Sequence, residues 1–91
     1  MDKVATEKMV GFGIAIVDKG FVYVGDIEHD GAWCVISNAR NIRRWGTSKG
    51  LGELAISGPT ETTELDAVGV VRIPAHSLIS ILDSDKSAWT E

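Results

Sequence analysis

Two apolar runs separated by only three residues constrain this chain more than any other feature. "VGFGIAIV" (Val10 to Val17) and "FVYVGDI" (Phe21 to Ile27) are rich in β-branched and aromatic residues. The "DKG" between them, Asp18 to Gly20, supplies a turn whose glycine can take positive φ, so the pair predicts a β-hairpin. "HDG" (His29 to Gly31) places Asp-Gly in a second turn, which leads into a third strand, "AWCVIS", from Ala32 to Ser37. "RNIRRW" follows as a short strand with Ile42 and Arg44 on one side and Arg43 and Trp45 on the other. "GLGELAISGP" is short and glycine-rich, which predicts a single helical turn around Leu51 to Ala55, closed by Gly58-Pro59. "TTELDA" and "VGVVRIP" read as strands around a turn near Asp66, and Pro74 forbids a continued central ladder. "SLISILD", Ser77 to Asp83, is apolar on both sides and reads as a buried strand, whereas residues 1–8 and 84–91 read as loose ends, with Trp89 packing on a neighbouring subunit.

Short strands, tight turns and little helix predict an all-β fold with one short helical turn. A small SH3-like barrel is the natural architecture because closure removes exposed strand edges; a two-sheet sandwich is the alternative. Ninety-one residues without repeat or linker make one domain, 1–91, with a modest core. A chain that is 44% hydrophobic and has no disulfide framework is expected to protect its strands by homo-oligomerisation. The lone Cys34, inside an apolar run, reads as a buried and inert thiol, which fits a reducing cytoplasm. No stretch has the form of an export signal or of a membrane span, so the expected location is cytoplasmic and no membrane partner is implied. A net charge of −4 argues against bulk nucleic-acid binding.

Against that acidic background, Asn38 to Gly52 carries Arg40, Arg43, Arg44 and Lys49 and no acid. Arginine offers paired donors to phosphate, and backbone N–H groups in a glycine-rich turn can line an anion site. "GTSKGLG" adds the Thr47 and Ser48 hydroxyls, and Trp45 offers a face on which a base could stack. Arg40, Arg43, Arg44, Trp45, Thr47, Ser48 and Lys49 are therefore the candidate binding residues for a nucleotide-like anion. The spacing is not that of a P-loop, so ATP hydrolysis is not implied. The competing reading is structural. Such arginines form a solvated face or pair with Glu53, Glu61, Glu64 or Asp66 across a subunit contact, and Trp45 anchors a core or an interface. Trp33, in a strand, reads as core.

The string "NIRRWGTSKGLGEL", with "LDAVGVVRIP" after it, resembles a family of small uncharacterised domains encoded in phages and prophages, over about Gly20 to Asp83. The resemblance implies action in the cytoplasm of an infected bacterium and brings no catalytic residues. By analogy with small phage proteins as a class, it implies either a counter-defence protein that sequesters a nucleotide signal or a protein inhibitor of a host defence complex. A structural or oligomerisation role without a small ligand stands beside these.

Catalysis is not expected. His29 lies between Glu28 and Asp30, but that turn needs Asp-Gly for its geometry alone, and His76 has no partner suggested by spacing. The two histidines lack the spacing of a metal site, and no cofactor is implied.

Overall fold

The computed structural model describes residues 9–89. Five strands make one antiparallel sheet: β1 (Met9–Val17), β2 (Val22–His29), β3 (Trp33–Arg44), β4 (Glu64–Pro74) and β5 (Leu78–Asp83), in the order β4-β3-β2-β1-β5. A single short helix, α1 (Leu51–Ser57), sits in the β3–β4 connection. The fold is all-β with one helical turn, as the sequence predicts. The strands form one curled sheet whose edges, β4 and β5, do not pair with each other, rather than two packed sheets.

The hairpin of β1 and β2 pairs Ile14 with Val24 and Ile16 with Val22, across a three-residue 3-10 turn at Asp18–Gly20. Gly13 lies opposite Gly25 in this ladder. A Cβ on Gly13 would stand 2.6 Å from the Leu82 carbonyl oxygen, and one on Gly25 would stand 2.8 Å from that of Ser37. Neighbouring backbone thus approaches both positions too closely for a side chain, which is how a sheet bends sharply at a barrel corner. Register shifts in β2, β3 and the β1–β5 pairing add to the bend. The result is an interior to which every strand contributes, including Ile27, Ile36 and Ile73, with Leu78 and Ile81 of edge strand β5 against them. The sheet is curled until both edges, joined by the 3-10 turn Ala75–Ser77, pack over that interior. On the opposite face Ile14, Val24 and Ile42 pack under Leu54 of α1 and under Trp89.

Several local expectations are corrected. The third strand and the basic strand are one twelve-residue strand, β3, because a bulge near Asn38 (φ 52) lets the ladder run on. No turn interrupts the chain at Asp66; β4 is continuous and irregular instead at Gly69 (φ 84). β5 is a strand but an edge one, with Ile79 65% exposed. Trp33 is not core but 50% exposed. The C-terminal segment is not loose as far as Trp89, which is 4% exposed within its own chain. Residues 1–8, 90 and 91, also expected to be loose, lie outside the described residues. Among the described residues, no helix is long and apolar enough to cross a membrane.

Cys34 is fully buried, and burial pushes its thiol above the ordinary value. Labelling of the native protein by a thiol reagent is accordingly expected to be slow and to become fast only in denaturant; rapid native labelling would contradict this burial.

Candidate functional site

The basic segment does not converge on one place. The Arg43 guanidinium grips Asp66 through Nε at 2.8 Å and Nη2 at 3.3 Å and donates from Nη1 to Glu64 at 2.6 Å. The hydrogen bond from Arg43 holds the Asp66 carboxyl below its ordinary range. Arg44 stands 3.9 Å from the other oxygen of Glu64. In the loop, the Glu53 carboxylate accepts from the Lys49 backbone N–H at 3.0 Å and from the Ser48 hydroxyl at 3.4 Å, while Thr47 donates to the Gly50 carbonyl. Trp45 is 44% exposed, and its backbone carbonyl accepts from Thr63. These contacts close a loop onto itself and onto the start of β4. Much of the donor capacity that a phosphate would need is already taken by neighbouring acids and carbonyls.

Arg40 is placed differently. The bulge near Asn38 shifts the alternation of β3, so that Ala39 joins the interior of the curled sheet and Arg40 turns to the opposite face. There its guanidinium carbon lies 5.9 Å from the centre of the Trp89 ring. Unlike Arg43, it has no carboxylate within ion-pair distance among the described residues. A cleft of about 460 Å³ opens beside it, with Phe12 and Trp89 as aromatic walls and Asp26, Asn38, Arg40 and Lys86 as polar groups.

Each wall is held in place by a specific contact. Trp89 donates from Nε1 to the Ser84 hydroxyl at 2.8 Å, and that hydroxyl donates to the Ala55 carbonyl of α1 at 2.6 Å. Asp85 caps the 3-10 turn Lys86–Ala88 by accepting from the Ser87 backbone N–H. Phe12 meets Trp89 at a tilted 6.2 Å between ring centres, a favourable aromatic arrangement. Asp26 joins strand to C-terminal turn, since it accepts from Asn38 Nδ2 at 3.1 Å and faces Lys86 Nζ at 3.3 Å.

The Asn38 hydrogen bond, helped by Lys86, holds the Asp26 carboxyl below its ordinary value. A depressed folded value means that the stabilisation is complete above the ordinary carboxylate range, about pH 4, and is lost as pH falls below it towards the folded value. Thermal melting followed from pH 6 to pH 3 should show a drop at the acid end that is shallower in Asp26→Asn; identical acid profiles would count against the Asp26 linkage.

A second cleft, of about 590 Å³, shares the Arg40–Trp89 pair and is bounded by Thr60, Glu61, Thr63 and Leu65. Thr60 and Thr62 both donate to the Gly46 carbonyl, which ties this wall to the loop after β3. Of the candidate binding residues read from the sequence, only Arg40 lines either cleft. Asp26, Asn38, Lys86 and Trp89 escape sequence reasoning, although "SDKSAW" carries a legible signal in an Asp placed two residues before a Ser to cap a turn.

Among the described residues, no group of three histidine, cysteine or acidic side chains is arranged to hold a metal ion. The chain matches no protein-family model, and no curated protein or solved structure is significantly similar to it.

Proposed function

We propose that the protein is a binding module for a small anionic ligand with a planar, nucleotide-like group, held in the cleft beside Arg40 and Trp89. The observation that supports this reading best is a guanidinium with no acid partner among the described residues, laid over an aromatic ring beside a cleft of suitable size. Small-molecule sites are typically about 300–1,000 Å³, mostly apolar, with a few convergent polar groups. Arg40 supplies charge for a phosphate, with Lys86 nearby on Asp26; the partly exposed Phe12 supplies apolar surface over the buried Trp89, and the Asp26 carboxylate keeps lone pairs for a base amine. The function expected from the basic stretch is thereby kept and its centre is moved, with Arg43 and the 47–49 loop serving to brace β3, α1 and β4. In the phage setting that the resemblance implies, such a module acts in the bacterial cytoplasm by sequestering a nucleotide signal and carries out no catalysis.

Calorimetric titration with 5′-AMP tests this reading. Arg40→Gln keeps the stem and removes the charge; loss of a charge-assisted contact is worth about 1.5–3 kcal/mol, so affinity should fall roughly ten- to hundredfold. Lys49→Ala and Arg43→Ala should bind as the parent does. The proposal fails if Arg40→Gln leaves affinity unchanged, or if AMP and inorganic phosphate both fail to bind the parent at millimolar concentration.

A protein inhibitor is the second reading, favoured by the half-exposed Trp33 and Trp45, and it would leave nucleotide titrations flat. Homo-oligomerisation belongs to either reading. The edge strands β4 and β5 expose Val68, Val70 and Ile79, the kind of edge that self-association covers. Light scattering at micromolar concentration should give a mass well above 9.8 kDa, and a monomer would remove this part of the proposal.

A further inference from the structure

Arg40 and Trp89 line both clefts, so this pair is the divide at which the two clefts adjoin. The two pockets are similar in size, about 460 and 590 Å³, and each is large enough for one nucleoside. Each also contains a carboxylate, Asp26 on one side and Glu61 on the other. An ionised carboxylate accepts hydrogen bonds and donates none, so it complements the amino edge of a base and repels phosphate. The charge pattern from one cleft to the other is therefore an Asp26 carboxylate shared with Lys86, the Arg40 cation, and the Glu61 carboxylate. A mononucleotide can satisfy the cation and one acceptor only.

On the binding reading given above, we infer that the ligand is a dinucleotide with amine-bearing bases, its bridging phosphate on Arg40 and one base in each cleft. The pocket walls favour a preformed site. The Thr60–Thr63 turn is fixed by its bonds to the Gly46 and Trp45 carbonyls, and the other side by the Asp26–Lys86 and Ser84–Trp89 contacts. A preformed site does not spend binding energy on ordering loops, which leaves more of it for discriminating two lobes from one.

The test compares 5′-AMP, the linear dinucleotide pApA and cyclic 3′,5′-diadenylate by calorimetry on the parent protein, Glu61→Ala and Asp26→Ala. At least one dinucleotide should bind tenfold or more tighter than AMP, and the linear and cyclic arms show which backbone the divide accepts. Each substitution should weaken the dinucleotide about tenfold, whereas at most one of them should affect AMP. Glu61 stands in an exposed turn, so Glu61→Ala retains a folded protein even if Asp26→Ala is destabilised through loss of its Lys86 contact. Equal affinities for AMP and both dinucleotides, or a Glu61→Ala protein that binds the dinucleotides as the parent does, would overturn the two-cleft inference and leave the single-cleft reading intact. Failure of AMP and both dinucleotides to bind at all would overturn both.

Discussion

Trp89→Ala is expected to cost about 3–5 kcal/mol of folding stability, the usual range for removing a buried large aromatic side chain. The indole is almost fully buried, packs with Ile14, Val24 and Leu54, and donates to Ser84, so truncation removes apolar packing together with one of the two hydrogen bonds of the Ser84 hydroxyl. Small domains have only about 5–15 kcal/mol in all. A domain of this size should lose melting temperature at about 4–8 °C per kcal/mol, and the variant should sit close to unfolding at ambient temperature. Urea denaturation monitored by far-UV circular dichroism measures this directly. A variant within 1 kcal/mol of the parent would mean that the C-terminal turn is an accessory and not part of the core.

Gly58→Ala should produce an effect of similar order through backbone geometry. Gly58 ends α1 with φ 83 and ψ −176, a region essentially confined to glycine, and donates its N–H to the Leu54 carbonyl at 2.8 Å. A Cβ there would lie 2.5 Å from the Ala88 carbonyl oxygen, so the helix end and the Trp89 turn could not keep their present contact. Conformational strain of about 1–3 kcal/mol and a similar overpacking term predict a loss of about 2–5 kcal/mol. Gly20→Ala is the control, because Gly20 also has positive φ (86) but open space around the position. It should pay conformational strain without the clash and be clearly milder in the same denaturation measurement. Equal losses at the two positions would show that the contact between α1 and the C-terminal turn contributes nothing.

The hairpin, the helical turn and the strand character of 78–83 were legible because they rest on local chemistry: β-branched runs, Asp-Gly and Gly-Pro punctuation, and a stretch too glycine-rich for a long helix. The bulge near Asn38 was not legible, since nothing in "ISNAR" announces a residue at φ 52, yet that one residue decides which face Arg40 joins. A regular alternation from Ala32 to Trp45 mis-assigns the arginines for this reason. Trp33 and Trp89 exchange their expected places on similar grounds. Trp33 sits where β3 begins opposite Pro74, at an end of the ladder, while Trp89 is drawn in by long-range contacts to Phe12, Ser84 and α1 that span up to 77 positions of sequence. The charge that stands out at Arg43 and Arg44 is matched in space by Glu64 and Asp66, and the backbone N–H of Lys49 is taken by Glu53, all of them downstream in the sequence. Composition exposed the cations; only the pairing of β3 with β4 revealed their partners.

The proposed function stands on a ligand held at the Arg40–Trp89 pair and not in the Trp45 loop. Titration of the ¹⁵N-labelled protein with 5′-AMP, followed by NMR, separates the two places in one experiment, because Trp33, Trp45 and Trp89 each give their own indole N–H signal. Saturable shifts are expected of the Trp89 indole, the Asn38 side-chain amide and the backbone amides near Arg40, with Trp45 and residues 47–49 unmoved. Shifts confined to the Trp45 indole and the 47–49 amides, with Trp89 silent, would contradict this placement.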